Sequence, residues 1–247
     1  MSLENKLERG REILRKSDVE VDFIRHGEAF YDEDELDRGE LEGELTPLGV
    51  EQIKNLGDRL AKEIDKNKEI VIIWTSPKKR AVQSSFILEE RMKAAGVEVY
   101  RLRIKKPLRD TDLSNELIEN LSNEKVEWID FWTKNEEYPT GMEKLEGVSS
   151  RTGRIISCLN RIVRNISNIK GKKMRFLCVG HEENIGGVIG CGIDGETPFV
   201  ETDNAELVRI YFNKAEKGKD IKLDIDFKNQ KITVGFDEER KRFYKFQ

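Results

Sequence analysis

The sequence predicts an α/β fold: one doubly wound domain with parallel strands at its centre. Three observations predict it. Short β-branched runs alternate with longer segments whose apolar residues recur every three or four positions. The alternation runs the length of the chain without an internal repeat or a linker-like stretch, so residues 1–247 read as a single domain with a core over about 19–213, a peripheral arm at 1–17 and a C-terminal extension at 214–247. Third, both histidines and one arginine directly follow strands, where open α/β sheets place their ligands.

The first strand is the apolar run before Arg25, from Val19 to Ile24, and the turn begins where Arg25, His26 and Gly27 arrive together. Gly27 suits a sharp turn and close backbone approach. Residues Ala29 to Glu44 are rich in Asp and Glu and read as a solvated flap, longer than the roughly 12–15 residues usual for structureless connections. Thr46-Pro47 opens a helix as N-cap and first-turn proline, and Ile53, Leu56, Leu60 and Ile64 give it an apolar stripe to Asp65. Ile70 to Thr75 is the second strand, followed by Ser76-Pro77 as another cap pair and a helix with Ala81, Ser85, Leu88, Met92 and Ala95 on one face. Arg80 falls in the first turn of that helix, where free N–H groups already favour an anion.

Val97 to Ile104 is the third strand, ending in Lys105-Lys106-Pro107-Leu108-Arg109-Asp110. Thr111 to Tyr138 carries short helical patterns with Trp128, Phe131 and Trp132, read either as a cap over the site or, the commoner case, as a helical excursion packing its own aromatics. Ile155, Leu159, Ile162, Ile166 and Ile169 mark a long helix, and Arg175 to Val179 the next strand, closed by Gly180-His181-Glu182. A glycine-rich helix follows over Asn184 to Gly192; its glycines do not make a dinucleotide-binding GxGxxG. Leu207 to Phe212 is a further strand, and Ile221 to Phe227 with Lys231 to Phe236 form a C-terminal β-hairpin around Lys228-Asn229-Gln230.

Charged residues make up 37% of the chain, yet the net charge is only -4, so neither a nucleic-acid-binding excess of positive charge nor an acidic tail is indicated. No apolar run approaches the ~20 residues of a membrane span, and the charged N-terminus lacks a signal-peptide core. Cys158, Cys178 and Cys191 are odd in number and lack CxxC spacing, which fits a reduced, cytoplasmic setting. Cys158 and Arg164 have the Cys-x5-Arg spacing of cysteine phosphatases, but the glycine-free interval lies on a helical stripe whose N–H groups are already used.

If the three strands are parallel neighbours, Arg25, His26, Arg80 and His181 converge on one pocket. Two guanidiniums and two imidazoles suit a phosphoryl group, whose transfer needs charge neutralisation and in-line positioning. Neutral imidazole supplies a lone pair near neutral pH, and the arginine fork matches phosphate oxygens.

Arg25-His26-Gly27-Glu28 resembles the RHG signature of the histidine phosphatase superfamily, with its phosphoglycerate mutase-like fold. Leu45-Thr46-Pro47-Leu48-Gly49 with Gln52, Ser76-Pro77-Lys78-Lys79-Arg80-Ala81, Gly180-His181 and Asn204-Ala205-Glu206-Leu207 are similar in turn, in that family's order. The resemblance implies a three-layer α/β/α fold with a mostly parallel central sheet. It implies that His26 becomes phosphorylated while Arg25, Arg80 and His181 hold the phosphate, beside Gly27 and Glu28, and that no metal or organic cofactor takes part. It also implies an acidic proton donor after the third strand. Asp110 in Leu108-Arg109-Asp110 is the first match, with Asp in place of Glu; Asp112 and Glu116 are the alternatives.

Two departures bear on activity. Thr111-Asp112-Leu113-Ser114 stands where phosphoglycerate mutases have an Arg-His-Tyr-Gly-like substrate-binding stretch, which argues against mutase chemistry. Ala29 and Asp32 stand where the family often has Ser or Thr and Asn, and Asp32 would repel a phosphate beside it. The expectation is a metal-independent phosphomonoesterase acting on a phosphorylated small molecule or phosphoprotein, with no nucleic-acid or membrane partner. The alternatives are mutase-type phosphoryl transfer and a nonenzymatic phosphate- or phosphoprotein-binding module of the same fold.

Overall fold

The computed structural model describes residues 19–30, 43–111, 143–166, 169–193, 200–212 and 220–245. The elements are β1 (Val19–Arg25), α1 (Pro47–Glu63), β2 (Glu69–Thr75), α2 (Lys79–Ala94), β3 (Val99–Ile104), a single 3-10 turn (Lys106–Leu108), α3 (Leu145–Asn165), β4 (Lys173–Gly180), α4 (Glu182–Ile193), β5 (Leu207–Phe212), β6 (Ile221–Phe227), β7 (Gln230–Asp237) and β8 (Arg242–Lys245). The expected arm at 1–17, Asp32, Asp112, Glu116 and the aromatics Trp128, Phe131 and Trp132 lie outside the described residues.

All eight strands join one sheet in the order β3-β2-β4-β1-β5-β6-β7-β8. From β3 to β1 the pairing is parallel, and from β1 to β8 it is antiparallel. Helices α1 and α2 cover one face through Ile53, Leu56, Leu60, Leu88 and Met92, and α3 and α4 cover the other through Ile155, Leu159, Ile185 and Ile189. That is the three-layer α/β/α arrangement, and its two apolar layers account for the uninterrupted apolar strands between them. No helix among the described residues is long and apolar enough to cross a membrane.

Register brings the strand ends together. Arg25 lies opposite Gly180, and Thr75 lies opposite both Val179 and Ile104. The ladder extends one residue further: the amides of His26, Ser76 and Lys105 donate to the carbonyls of Gly180, Val179 and Thr75 at 3.1, 2.9 and 2.7 Å. Four chain segments distant in sequence therefore leave the sheet side by side.

Several boundaries differ from the expectation for physical reasons. Helix α1 begins as expected, with Thr46 accepting the Gly49 amide at 3.0 Å. Ser76 is not the cap residue of α2; the cap position is Lys78, whose amide donates to Ser76 Oγ at 3.3 Å, and the same hydroxyl meets His181 Nε2 at 2.8 Å. Helix α3 stops at Asn165, so Ile166 and Ile169 lie beyond it, Ile169 bridging to Lys172 across a Lys170-Gly171 turn with positive φ at both residues. Helix α4 begins two residues early, at Glu182. The C-terminal hairpin turns on Lys228 and Asn229 alone (φ 47 and 63), because Gln230 already pairs with Phe227; this is the two-residue turn whose twist matches paired strands. Its partner β8 has no apolar alternation to announce it.

Strand β1 is also less apolar than its pattern suggests. Asp22 is fully buried, accepting from Arg175 Nε at 2.8 Å and Arg209 Nε at 2.7 Å, with Glu63 2.9 Å from Arg209. Burial pushes the Asp22 carboxyl up, but the two arginines more than offset it and hold its pKa below the usual range. An Asp22→Ala variant removes the buried carboxylate between the two guanidiniums, leaving Arg209 with Glu63 and Arg175 with the more distant Glu20, Glu63 and Glu69, and is expected to lose about 3 kcal/mol of stability. Urea unfolding checks it as a lower midpoint at unchanged slope; a loss below about 1 kcal/mol would show that the pairs are dispensable.

Candidate active site

The site is assembled at the carboxyl edge of the parallel strands. His26 is held from both sides: its amide donates to Gly180, its carbonyl accepts from Ala205 at 3.1 Å, and the Arg25 amide donates to Glu206 at 3.0 Å. The stretch Asn204 to Glu206 thus serves the site by fixing this backbone. Gly27 is required by a close approach, though to protein rather than to a ligand. A Cβ there would lie 2.4 Å from the Gly49 carbonyl in the first turn of α1. Glu28 faces the same way, accepting from Thr46 Oγ1 at 2.8 Å while its amide donates to Gln52. The structure therefore ties Gly27 and Glu28 to α1 and leaves His26 exposed to its cationic neighbours.

The hydrogen bonds define the imidazole. Nδ1 of His26 lies 2.7 Å from the Gly27 carbonyl, which only accepts, so Nδ1 carries the proton. Nε2 receives Arg80 Nε at 3.0 Å, which only donates, so Nε2 carries the lone pair. The ring is 2% exposed, and burial, followed by the Arg80 charge, pushes its pKa down to about 3. His181 packs edge-on against His26 with ring centroids 5.0 Å apart. Burial and the neighbouring His26 and Arg80 hold its pKa well below the imidazole range. Its Nε2 lies 2.8 Å from Ser76 Oγ, and its Nδ1 is buried without a hydrogen-bond partner.

Arg80 joins the histidines to Asp110. Its NH2 lies 2.5 Å from Asp110 Oδ2, and Lys78 Nζ lies 3.3 Å from Asp110 Oδ1. Arg25 is anchored by Glu182 at 3.0 Å and by the Thr202 carbonyl, leaving its Nε buried without a partner. The base of the expected flap closes on the same spot. Ala29 bridges to Leu45, the Phe30 amide donates to Glu44, and Gly43, at φ 72, sits where an added Cβ would lie 3.6 Å from Arg80 NH1. Ala29 is thereby buried in that bridge.

Of the residues read from the sequence, His26, His181, Arg80 and Asp110 form one connected cluster, and Arg25 flanks it. Sequence reasoning missed four contributors. Ser76 orients His181; Asn184 accepts the His181 amide at 3.2 Å and donates to the Arg109 carbonyl at 3.3 Å. Arg151 grips the Asp110 segment from α3. Glu183 is buried near Asp110 and Arg80, and burial pushes its carboxyl up to about 7. Only the HisGluGlu run offered a signal for Glu183.

The sequence model of the histidine phosphatase superfamily (branch 1) matches residues 21–218. The chain belongs to that superfamily. Its matched span includes every member of the cluster just described. A Hydrogenobacter thermophilus protein named "Putative phosphoserine phosphatase 2" is 34% identical over 81 residues, which are 33% of this chain and 37% of that protein. The chain thus aligns with well under half of that relative's length. Among solved structures, one described as mycobacterial hydrolase 1 superposes with a TM-score of 0.62 at 18% identity, covering 86% of this chain and 98% of its own. A mycobacterial glucosyl-3-phosphoglycerate phosphatase in complex with VO3 gives 0.59 at 18% identity, covering 85% and 98%. At such identities the likeness is one of fold: this histidine phosphatase superfamily member shares their phosphoglycerate mutase-like architecture.

Proposed function

We propose that the chain is a phosphomonoesterase that works without a metal, through a phosphohistidine formed on Nε2 of His26. One observation carries the reading: the imidazole presents its lone pair, not its proton, to a guanidinium that also holds a carboxylate. A base at that nitrogen, neutral down to about pH 3, is a nucleophile throughout the physiological range. Arg80, Arg25 and His181 spread the phosphoryl charge over their donors, the electrostatic work that dominates such transfers. Asp110 protonates the leaving oxygen and then takes a proton from the water that attacks the phosphohistidine. A phosphate on Arg80 competes with Asp110 for the same guanidinium fork, which frees the carboxyl to meet the leaving oxygen.

The match to the superfamily supports the reaction class, and the small phosphoesters in the names of the related phosphatases support a phosphorylated small molecule as substrate. Free Cys158 and Cys178 support a reduced, cytoplasmic setting. Labelled p-nitrophenyl phosphate mixed with the protein and quenched in alkali is expected to leave a base-stable, acid-labile phosphoryl group on the His26 peptide, with turnover unchanged by EDTA. Label on any other residue at comparable turnover would overturn the assignment.

A further inference from the structure

We infer that Arg151 is a positioning residue for the proton donor, an inference that rests on Asp110 acting as the acid. Arg151 stands on α3, 41 positions from Asp110, and is 7% exposed. Its guanidinium spends every N–H on one task. NH1 donates to the carbonyls of Pro107 at 3.0 Å and Arg109 at 2.8 Å, and NH2 donates to the carbonyl of Asp110 at 3.3 Å. Glu143 holds the remaining edge in a fork, with Nε to Oε1 at 2.8 Å and NH2 to Oε2 at 2.7 Å. Asn184 adds a second donor to the Arg109 carbonyl while binding the His181 amide, so the acid segment and the second histidine are referred to a common anchor.

The arrangement answers a need of the reaction. After β3 the chain makes only a single 3-10 turn, Lys106–Leu108, before Asp110. A carboxyl on so short a turn must meet the leaving oxygen to within a fraction of an ångström, since about 1 Å of displacement costs orders of magnitude in rate. Three carbonyls converging on one rigid, permanently charged fork supply that constraint. Lysine cannot, because a point ammonium does not span three divergent acceptors and a carboxylate at once.

A leaving-group series separates this role from simple structural support. General acid catalysis contributes little when the leaving group is a stable phenolate and about 10²–10⁴-fold when it is an alkoxide. For Arg151→Lys, kcat/KM is expected to fall no more than about threefold on p-nitrophenyl phosphate and about 10²-fold on an alkyl phosphate, the slope that Asp110→Asn also produces. Adding Arg151→Lys to Asp110→Asn is expected to change little further, because the two act as a unit. Glu143→Gln, which loosens the fork without removing the cation, gives an intermediate slope and serves if the lysine variant does not fold. An equal loss across the series, or additive losses in the double variant, overturns the inference. Wild type without turnover on p-nitrophenyl phosphate would instead overturn the proposed phosphatase reading itself.

Discussion

A His26→Ala variant is expected to lose about 10⁴-fold or more of kcat/KM on aryl phosphates, because removal of the proposed nucleophile leaves only the residual effect of the surrounding donors. Steady-state release of p-nitrophenol measures it, and activity within tenfold of wild type would remove His26 from the covalent step. The same variant carries a thermodynamic signature. The unfolded imidazole takes a proton as pH falls through its ordinary 6.5, whereas the folded one stays neutral down to about 3. Across that window the folded state binds fewer protons, so stability is full above about pH 6.5 and is lost as pH falls toward 3. For a ring 2% exposed the loss amounts to roughly 4–5 kcal/mol. His181 is displaced in the same direction and adds to the effect. Urea titrations from pH 7 to 4 should therefore fall more steeply for wild type than for His26→Ala; parallel curves would contradict the buried neutral imidazole.

Legibility followed the range of the interactions. The pieces of the site readable in sequence are those whose position is set locally: an apolar run that ends in Arg25-His26, a proline turn that puts Arg80 in the first turn of α2, a strand that ends in Gly180-His181. Parallel register then carries them to one edge without further information. Asp110 was readable only through resemblance, and its nearest alternatives, Asp112 and Glu116, fall outside the described residues. What stayed hidden depends on partners far along the chain. Nothing near Arg151 says that it will meet carbonyls 41 to 44 positions away, and Ser76 looks like a helix cap until His181 arrives 105 positions later. The run before Arg25 reads as apolar although it carries Glu20 and Asp22; Arg175 and Arg209 on the flanking strands are what allow Asp22 inside. Strand β8 has a similar origin, gaining Phe243 against Phe236 at 4.8 Å from a charged sequence with no period of two.

Arg80→Ala is expected to produce the second large loss, about 10³–10⁵-fold in kcat, on the scale of other arginines that neutralise a phosphoryl group in flight. Two contacts explain why one side chain carries so much. Nε meets Nε2 of His26, the proposed nucleophile, and NH2 meets Asp110, the proposed acid, so the guanidinium sets the distance between the two groups that this proposal places on opposite sides of the phosphorus. It is also the second cause, after burial, of the depressed His26 pKa. Its removal should therefore raise that pKa from about 3 toward the ordinary 6.5, bringing imidazole protonation into the accessible range. The acid limb of the remaining kcat/KM then moves to higher pH. NMR titration can follow this directly, since the chain has 2 histidines and the pair can be assigned with one substitution. Arg80→Lys keeps a charge but cannot present an N–H to each group at once, and it should recover the histidine pKa more than the rate. If Arg80→Ala leaves the His26 titration unmoved, the guanidinium does not sit on Nε2 in solution, and the geometry on which the nucleophile assignment rests is wrong.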